Sequence, residues 1–187
     1  MAELIIGGAR SGKSALAASR AQQSGLAVVY LATARAEDTE MARRIAHHQA
    51  HRPSDWTSSE EPLNLAAALR RHAAAGTFLL VDCLTLWLSN LFFAGRAAAQ
   101  AGAGEAVDCP FLAGQITELL DCLPALPGRL VLVTNEVGCG IVPMSALARI
   151  FADEQGRLNQ RVAAACDRVT LTVAGLPLEL KPAGPLT

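Results

Sequence analysis

Short β-branched or aliphatic runs alternate along this chain with longer Ala-, Leu- and Arg-rich segments of helical spacing. Leu4 to Gly7, Ala27 to Ala32, Thr77 to Asp82, Leu130 to Asn135 and Arg168 to Val173 read as buried strands. Strands separated by helix-length segments imply right-handed crossovers and a mostly parallel sheet covered on both faces, so the expected class is α/β. Gly175-Leu176-Pro177 predicts a turn into Leu178 to Lys181, which returns as an antiparallel edge strand. Gly95 to Gly114, rich in Ala and Gly, breaks the rhythm. It reads as an irregular or partly helical insert, a mobile connector within one domain spanning 1–187.

The chain has 187 residues, 51% hydrophobic, 18% charged and 4% aromatic, which is enough for one compact core and excludes intrinsic disorder. A net charge of −1, without a Lys/Arg cluster, leaves no field to attract nucleic acid or an anionic membrane. No apolar run suits a signal peptide or a membrane span, so the expected location is the cytoplasm. The five cysteines show no C-x-x-C spacing and read as reduced and structural. Fourteen of the sixteen basic residues are arginine, and the only lysines are Lys13 and Lys181. A lysine in such a sequence invites a chemical reason.

Lys13 supplies that reason. Gly7-Gly8-Ala9-Arg10-Ser11-Gly12-Lys13-Ser14 satisfies G-x-x-x-x-G-K-[ST] directly after a predicted strand and directly before the helical run Ala15 to Gln23. Such a loop curls so that successive N–H groups and a helix N-terminus face phosphate, with Lys13 reaching the β/γ-phosphates and Ser14 contacting Mg²⁺. Asp82, at the end of Phe78-Leu79-Leu80-Val81, is placed as a Walker-B carboxylate would be, though a strand-end aspartate can also simply cap the next helix. GTPase signatures are missing: Cys83-Leu84-Thr85 follows Asp82 where D-x-x-G would require glycine, and Glu136 follows Asn135 where N-K-x-D would require lysine.

A helix is predicted from about Asp38, ending by Pro53, and it carries His47, His48 and His51, three of the four histidines. His47 and His51 share a face one turn apart, and Arg44 lies one turn before His47 and His48. The cluster is compatible with a zinc pair, with a solvated polar face, or with nucleophilic catalysis. In the last case a neutral imidazole attacks phosphorus and leaves again, while Arg43, Arg44 and Arg52 disfavour its protonation and neutralise phosphate.

With these segments in view, the chain resembles the bifunctional adenosylcobinamide kinase / adenosylcobinamide-phosphate guanylyltransferase family of cobalamin biosynthesis. The resemblance rests on the phosphate loop, Tyr30-Leu31-Ala32-Thr33-Ala34, the histidine segment through Arg52-Pro53, Trp56-Thr57 to Glu60, and Asp82 to Trp87. It continues through Val133 to Pro143 and Gly156 to Gln160. It implies a P-loop NTPase-like fold, phosphorylation of adenosylcobinamide by ATP or GTP, and then GMP transfer from GTP onto adenosylcobinamide phosphate through a guanylylated histidine. His47 is the nucleophile by motif position, with His48 as the alternative. Also implied are nucleotide contacts from Gly7, Gly8, Ala9, Arg10, Ser11, Gly12, Lys13, Ser14, Ala32, Thr33, Ala34, His48, Gln49, Ala50, His51, Glu60 and Asp82. Ser14 and Asp82 would hold Mg²⁺, and the enzyme would be a homotrimer. A Glu60 carboxylate could accept from the N1–H and 2-amino edge that guanine has and adenine lacks. Trp56, Trp87, Phe92 and Phe93 are the aromatics available to a corrin ring or to the core. Two other readings of the loop stay open: a small-molecule kinase whose histidine helix is only a lid, and a non-catalytic GTP-binding switch.

Overall fold

The computed structural model describes residues 1–36, 38–50 and 52–182, with the side chains of Arg44, His47 and His48 outside that set. Its sheet has seven strands in the order β3-β2-β4-β5-β1-β6-β7, formed by β1 (Ala2–Gly7), β2 (Ala27–Ala32), β3 (Thr57–Glu60), β4 (Thr77–Asp82), β5 (Arg129–Asn135), β6 (Arg168–Val173) and β7 (Leu176–Lys181). Every pairing is parallel except β6 with β7. The helices are α1 (Lys13–Gln23), α2 (Thr39–Ala50), α3 (Leu65–His72), α4 (Leu84–Ala94), α5 (Ala97–Gly102), α6 (Pro110–Cys122) and α7 (Ala146–Ala165).

The inner strands are apolar on both faces because both faces are covered. Leu4, Leu31, Leu79, Val81 and Leu132 point into a core shared with α3, α4, α6 and α7. Their neighbours Ile5, Tyr30, Phe78, Leu80 and Val131 face a smaller cluster completed by Ala17 and Ala21 of α1. Two alanines on the inner face let α1 lie close to the sheet.

Three local differences from the sequence reading have physical causes. β3, Thr-Ser-Ser-Glu, has no apolar signature because it is a largely exposed edge strand, held by main-chain pairing with β2. Between β6 and β7 the turn is Ala174-Gly175, both at positive φ, so β7 begins at Leu176 with Pro177 tolerated on the edge. The 95–114 segment is partly helical, as expected, but it packs into the core where a connector was expected. Ala97 and Ala101 are fully buried, Arg96 pairs with Asp108 at 2.7 Å, and its last residues already belong to α6. Its small side chains therefore permit close packing.

Four cysteines are buried, as expected of structural thiols, but Cys139 is exposed in the loop after β5. Burial pushes the Cys83 thiol up to about 11 and the Cys166 thiol up to about 12. Iodoacetamide at pH 8 should therefore label Cys139 first in the native protein, and Cys139→Ser should abolish that fast phase in a mass-resolved time course. Among the described residues, no helix is long and apolar enough to cross a membrane.

Candidate nucleotide site

The phosphate loop leaves β1 at Gly7 and enters α1 at Lys13. A Cβ on Gly7 would lie 2.4 Å from the Thr172 carbonyl oxygen, so only glycine fits at that bend. Gly12 has φ +98°, in the left-handed region, and turns the chain into the helix. The β6–β7 turn braces the loop from behind, because the Gly175 N–H donates to the Ser11 carbonyl at 2.9 Å. The C-terminal hairpin thus does more than close a sheet edge.

Lys13 is buried, and its Nζ donates to the Gly8 carbonyl at 2.6 Å, which places the ammonium across the loop. Burial lowers its pKa, with the Cys83 and Asp82 groups acting in the opposite sense. An ammonium that has lost water and sits near Asp82 is poised to gain from an arriving phosphate. Gly8, Ala9 and Arg10 are exposed on the crest of the loop, and Ser14 is half-buried in the first turn of α1. The Ser11 hydroxyl is buried without a hydrogen-bond partner, a polar atom that a ligand at the loop could satisfy.

The sheet gathers the other candidates along the same edge. Ala32 lies opposite Asp82 on one side and Glu60 on the other, and Gly7 pairs with Asn135. Glu60 is nevertheless four strand spacings from the loop's own strand, or about 19 Å. It can meet one end of a nucleotide whose phosphates rest on the loop, but it cannot meet the phosphates. Thr33 is buried and fixes the β2 and β4 ends to each other: its hydroxyl donates to the Cys83 carbonyl at 2.8 Å and accepts from the Cys83 N–H at 2.9 Å. Its role here is to hold the strand ends, with Ala34 half-buried just beyond.

Asp82 accepts at Oδ2 from the Tyr30 hydroxyl, 3.1 Å away. Tyr30 is the one tyrosine of the chain, and Arg52 stacks on its ring at 3.6 Å while donating to Ser58 Oγ at 2.8 Å. Burial, reinforced by Asp82 and opposed by Arg52, holds the Tyr30 phenol well above its ordinary pKa, so it remains a neutral donor. Tyr30 and Arg52 were not singled out for this from the sequence, although the lone tyrosine was a usable signal. Together they tie the segment after α2 to the strand carrying Asp82. Ser14 and Asp82 offer the hard oxygen donors that Mg²⁺ takes. Among the described residues, no group of three His, Cys, Asp or Glu side chains could itself hold a metal ion.

α2 begins as expected, with Asp38 Oδ1 accepting from the Met41 N–H at 2.7 Å. Gln49 and Ala50 are exposed at its end. His47 and His48 fall in the last turns of this helix, but their side chains, that of Arg44, and the whole of His51 lie outside the described residues. The zinc, solvated-face and nucleophile readings all fall there. Of the aromatics named from the sequence, Trp87 and Phe92 are core residues, Trp56 is half-buried, and Phe93 is 64% exposed.

The family described as cobinamide kinase / cobinamide phosphate guanyltransferase matches residues 3–180. The chain belongs to this family. It is 55% identical over 97% of its length to the bifunctional adenosylcobalamin biosynthesis protein CobP of Pseudomonas aeruginosa, spanning 98% of that protein. It is 40% identical over 95% of its length to the bifunctional adenosylcobalamin biosynthesis protein CobU of Salmonella typhimurium, again spanning 98%. In fold it resembles a prototypical ATPase from the type III secretion system of pathogenic bacteria, with TM-score 0.57, 14% identity, and coverage of 95% of this chain and 56% of that one. The ATPase EscN of the enteropathogenic E. coli type III secretion system gives TM-score 0.55 at 13% identity, over 92% and 43% of the two chains. This member of the cobinamide kinase / cobinamide phosphate guanyltransferase family has a P-loop NTPase-like fold, as its phosphate loop predicts.

Proposed function

We propose that this protein phosphorylates the hydroxyl of adenosylcobinamide with ATP or GTP and then transfers GMP from GTP to the resulting phosphate, working in the cytoplasm as a homotrimer. The observation that carries this reading is the phosphate loop, with Lys13 crossing it and Asp82 two strands away, in a chain 55% identical to a bifunctional relative. Gly7 to Ser14 bind the triphosphate. Ser14 and Asp82 would hold Mg²⁺, which supplies charge neutralisation on the phosphates when bound. In the second reaction an imidazole nitrogen of His47 bonds to the α-phosphorus of GTP and the bond to pyrophosphate breaks. An oxygen of adenosylcobinamide phosphate then attacks the same phosphorus, and the nitrogen–phosphorus bond breaks in turn. His48, Gln49, Ala50 and His51, which follow the nucleophile in sequence, would contribute nucleotide contacts, as would Ala32, Thr33 and Ala34 at the end of β2.

The acceptor's ring docks against exposed Phe93, in an apolar groove of about 400 Å³ lined also by Phe92, Val137, Pro143 and Phe151. This groove opens next to the site, because Val137 follows a residue hydrogen-bonded to Gly7.

Mass spectrometry of the intact protein after incubation with GTP and Mg²⁺ tests the reading. One added GMP per chain is expected. Its absence, with cobinamide still phosphorylated, would leave a kinase only, and nucleotide binding without turnover would leave a switch. A second prediction concerns base choice. Glu60→Gln should lower kcat/KM for GTP in GMP transfer by about tenfold, the value of a charged hydrogen bond at an exposed site, and should narrow the preference over ATP. Competition kinetics with both nucleotides measure it.

A further inference from the structure

Apart from Val137 and Pro143 in the groove, residues 133–143 and 156–160 take no part in the function proposed above, yet the fold brings Glu136 to the phosphate loop and Asn159 to the end of β5. β5 lies between β1 and β4. Asp82 pairs with Val133 and Gly7 with Asn135, so the chain leaves β5 between the loop and the Asp82 carboxylate. At that exit the Glu136 N–H donates to the Gly7 carbonyl at 3.0 Å, at the first residue of the phosphate loop.

This exit is clamped by buried polar groups. The Asn135 N–H donates to Thr85 Oγ1 at 2.9 Å, and the Asn135 carbonyl accepts from Asn159 Nδ2 at 3.1 Å. Asn159 Oδ1 in turn accepts from Thr134 Oγ1 at 2.8 Å and from Gln155 Nε2 at 2.9 Å. Gln155 is fully buried and Asn159 nearly so. Apolar side chains would fill this space at lower desolvation cost, so the network's effect is positional: it fixes where β5 ends.

What it fixes there is a carboxylate. Glu136 is half-buried and accepts from the Gly138 N–H at Oε1, 3.0 Å, which holds the side chain near its own turn. The other acidic groups at this edge have different work. Asp82 is engaged by Tyr30, Glu61 accepts from the N–H groups of Leu63 and Asn64, and Glu60 is four strands from the loop. The next residue, Val137, lines the apolar groove, so an acceptor lying there passes Glu136 on its way to the phosphates.

We propose that Glu136 is the general base of the phosphoryl-transfer step, positioned by Thr85, Gln155 and Asn159. The acceptor's hydroxyl oxygen bonds to the γ-phosphorus, the bond from that phosphorus to the β,γ-bridging oxygen breaks, the nucleoside diphosphate leaves, and the hydroxyl proton passes to the Glu136 carboxylate. The proposal rests on the kinase half of the function proposed above. GMP transfer onto a phosphate has no hydroxyl proton to remove and does not use this group.

Glu136→Gln is the decisive variant, because its amide oxygen can still accept from Gly138 while the group can no longer take a proton. The bond to the leaving group is largely broken before the hydroxyl becomes acidic, so the effect belongs at the low end for general bases. Phosphorylation kcat should fall on the order of 10²-fold. The nucleotide KM should stay within about twofold, because ground-state binding is untouched. Ready-made adenosylcobinamide phosphate, given with GTP, should still be converted. A fall in phosphorylation kcat of less than about threefold would overturn the assignment. So would an equal loss of GMP transfer with an unchanged thermal unfolding midpoint, since that marks a role in nucleotide binding. Wild-type protein that phosphorylates no adenosylcobinamide would remove the kinase reading itself, and the base with it.

Discussion

His47→Ala should leave no GMP on the protein after exposure to GTP and Mg²⁺, and GMP transfer should fall on the order of 10⁴-fold or more, as when a covalent nucleophile is removed. GTP labelled at its α-phosphate makes the adduct visible. A nitrogen–phosphorus bond is stable in base and labile in acid, which separates it from an ester to serine or threonine. Phosphorylation of adenosylcobinamide should persist in this variant, because the phosphate loop and Glu136 are carried by other elements. If His47→Ala still forms the full adduct and His48→Ala does not, the nucleophile is the neighbouring ring. If both variants form it, the covalent route through this helix fails.

Lys13→Ala should slow both reactions together. The ammonium is buried against the loop and crosses to the Gly8 carbonyl, so it faces whatever phosphate the loop receives. Removing one such charge from a preorganised site costs on the order of 10²–10³-fold in turnover, about 3–4 kcal/mol. Both kcat values should drop, and so should nucleotide affinity. Alanine also removes a buried cation beside Asp82, so the fold should survive. Circular dichroism and the unfolding midpoint verify this. Loss of one activity only would mean that the two reactions use separate triphosphate sites. The contrast with His47→Ala distinguishes the shared element from the dedicated one.

Much of this arrangement was legible from local pattern. Five strands were readable from runs such as Val28 to Leu31 and Leu79 to Val81 because burial on both faces demands continuous apolar sequence. The start of α2 was readable because Asp38 caps it. β3 was not legible, since an exposed edge strand is held by main-chain hydrogen bonds that any residue can make. The packing role of 95–114 was hidden for a related reason: Ala97 and Ala101 are core residues that look like linker composition.

The sequence by itself determined the phosphate loop, the alternation that makes an α/β sheet, and the concentration of histidines within residues 47–51, because each is set by residues adjacent in the chain. Only the tertiary structure decided that β5 falls between β1 and β4, and that Glu136 therefore emerges beside Gly7. It alone revealed that Tyr30 and Arg52 hold the Asp82 end of the sheet, and that the C-terminal hairpin supports the loop through Gly175. Strand order and long-range hydrogen bonds join residues far apart in the chain, and no local spacing encodes them.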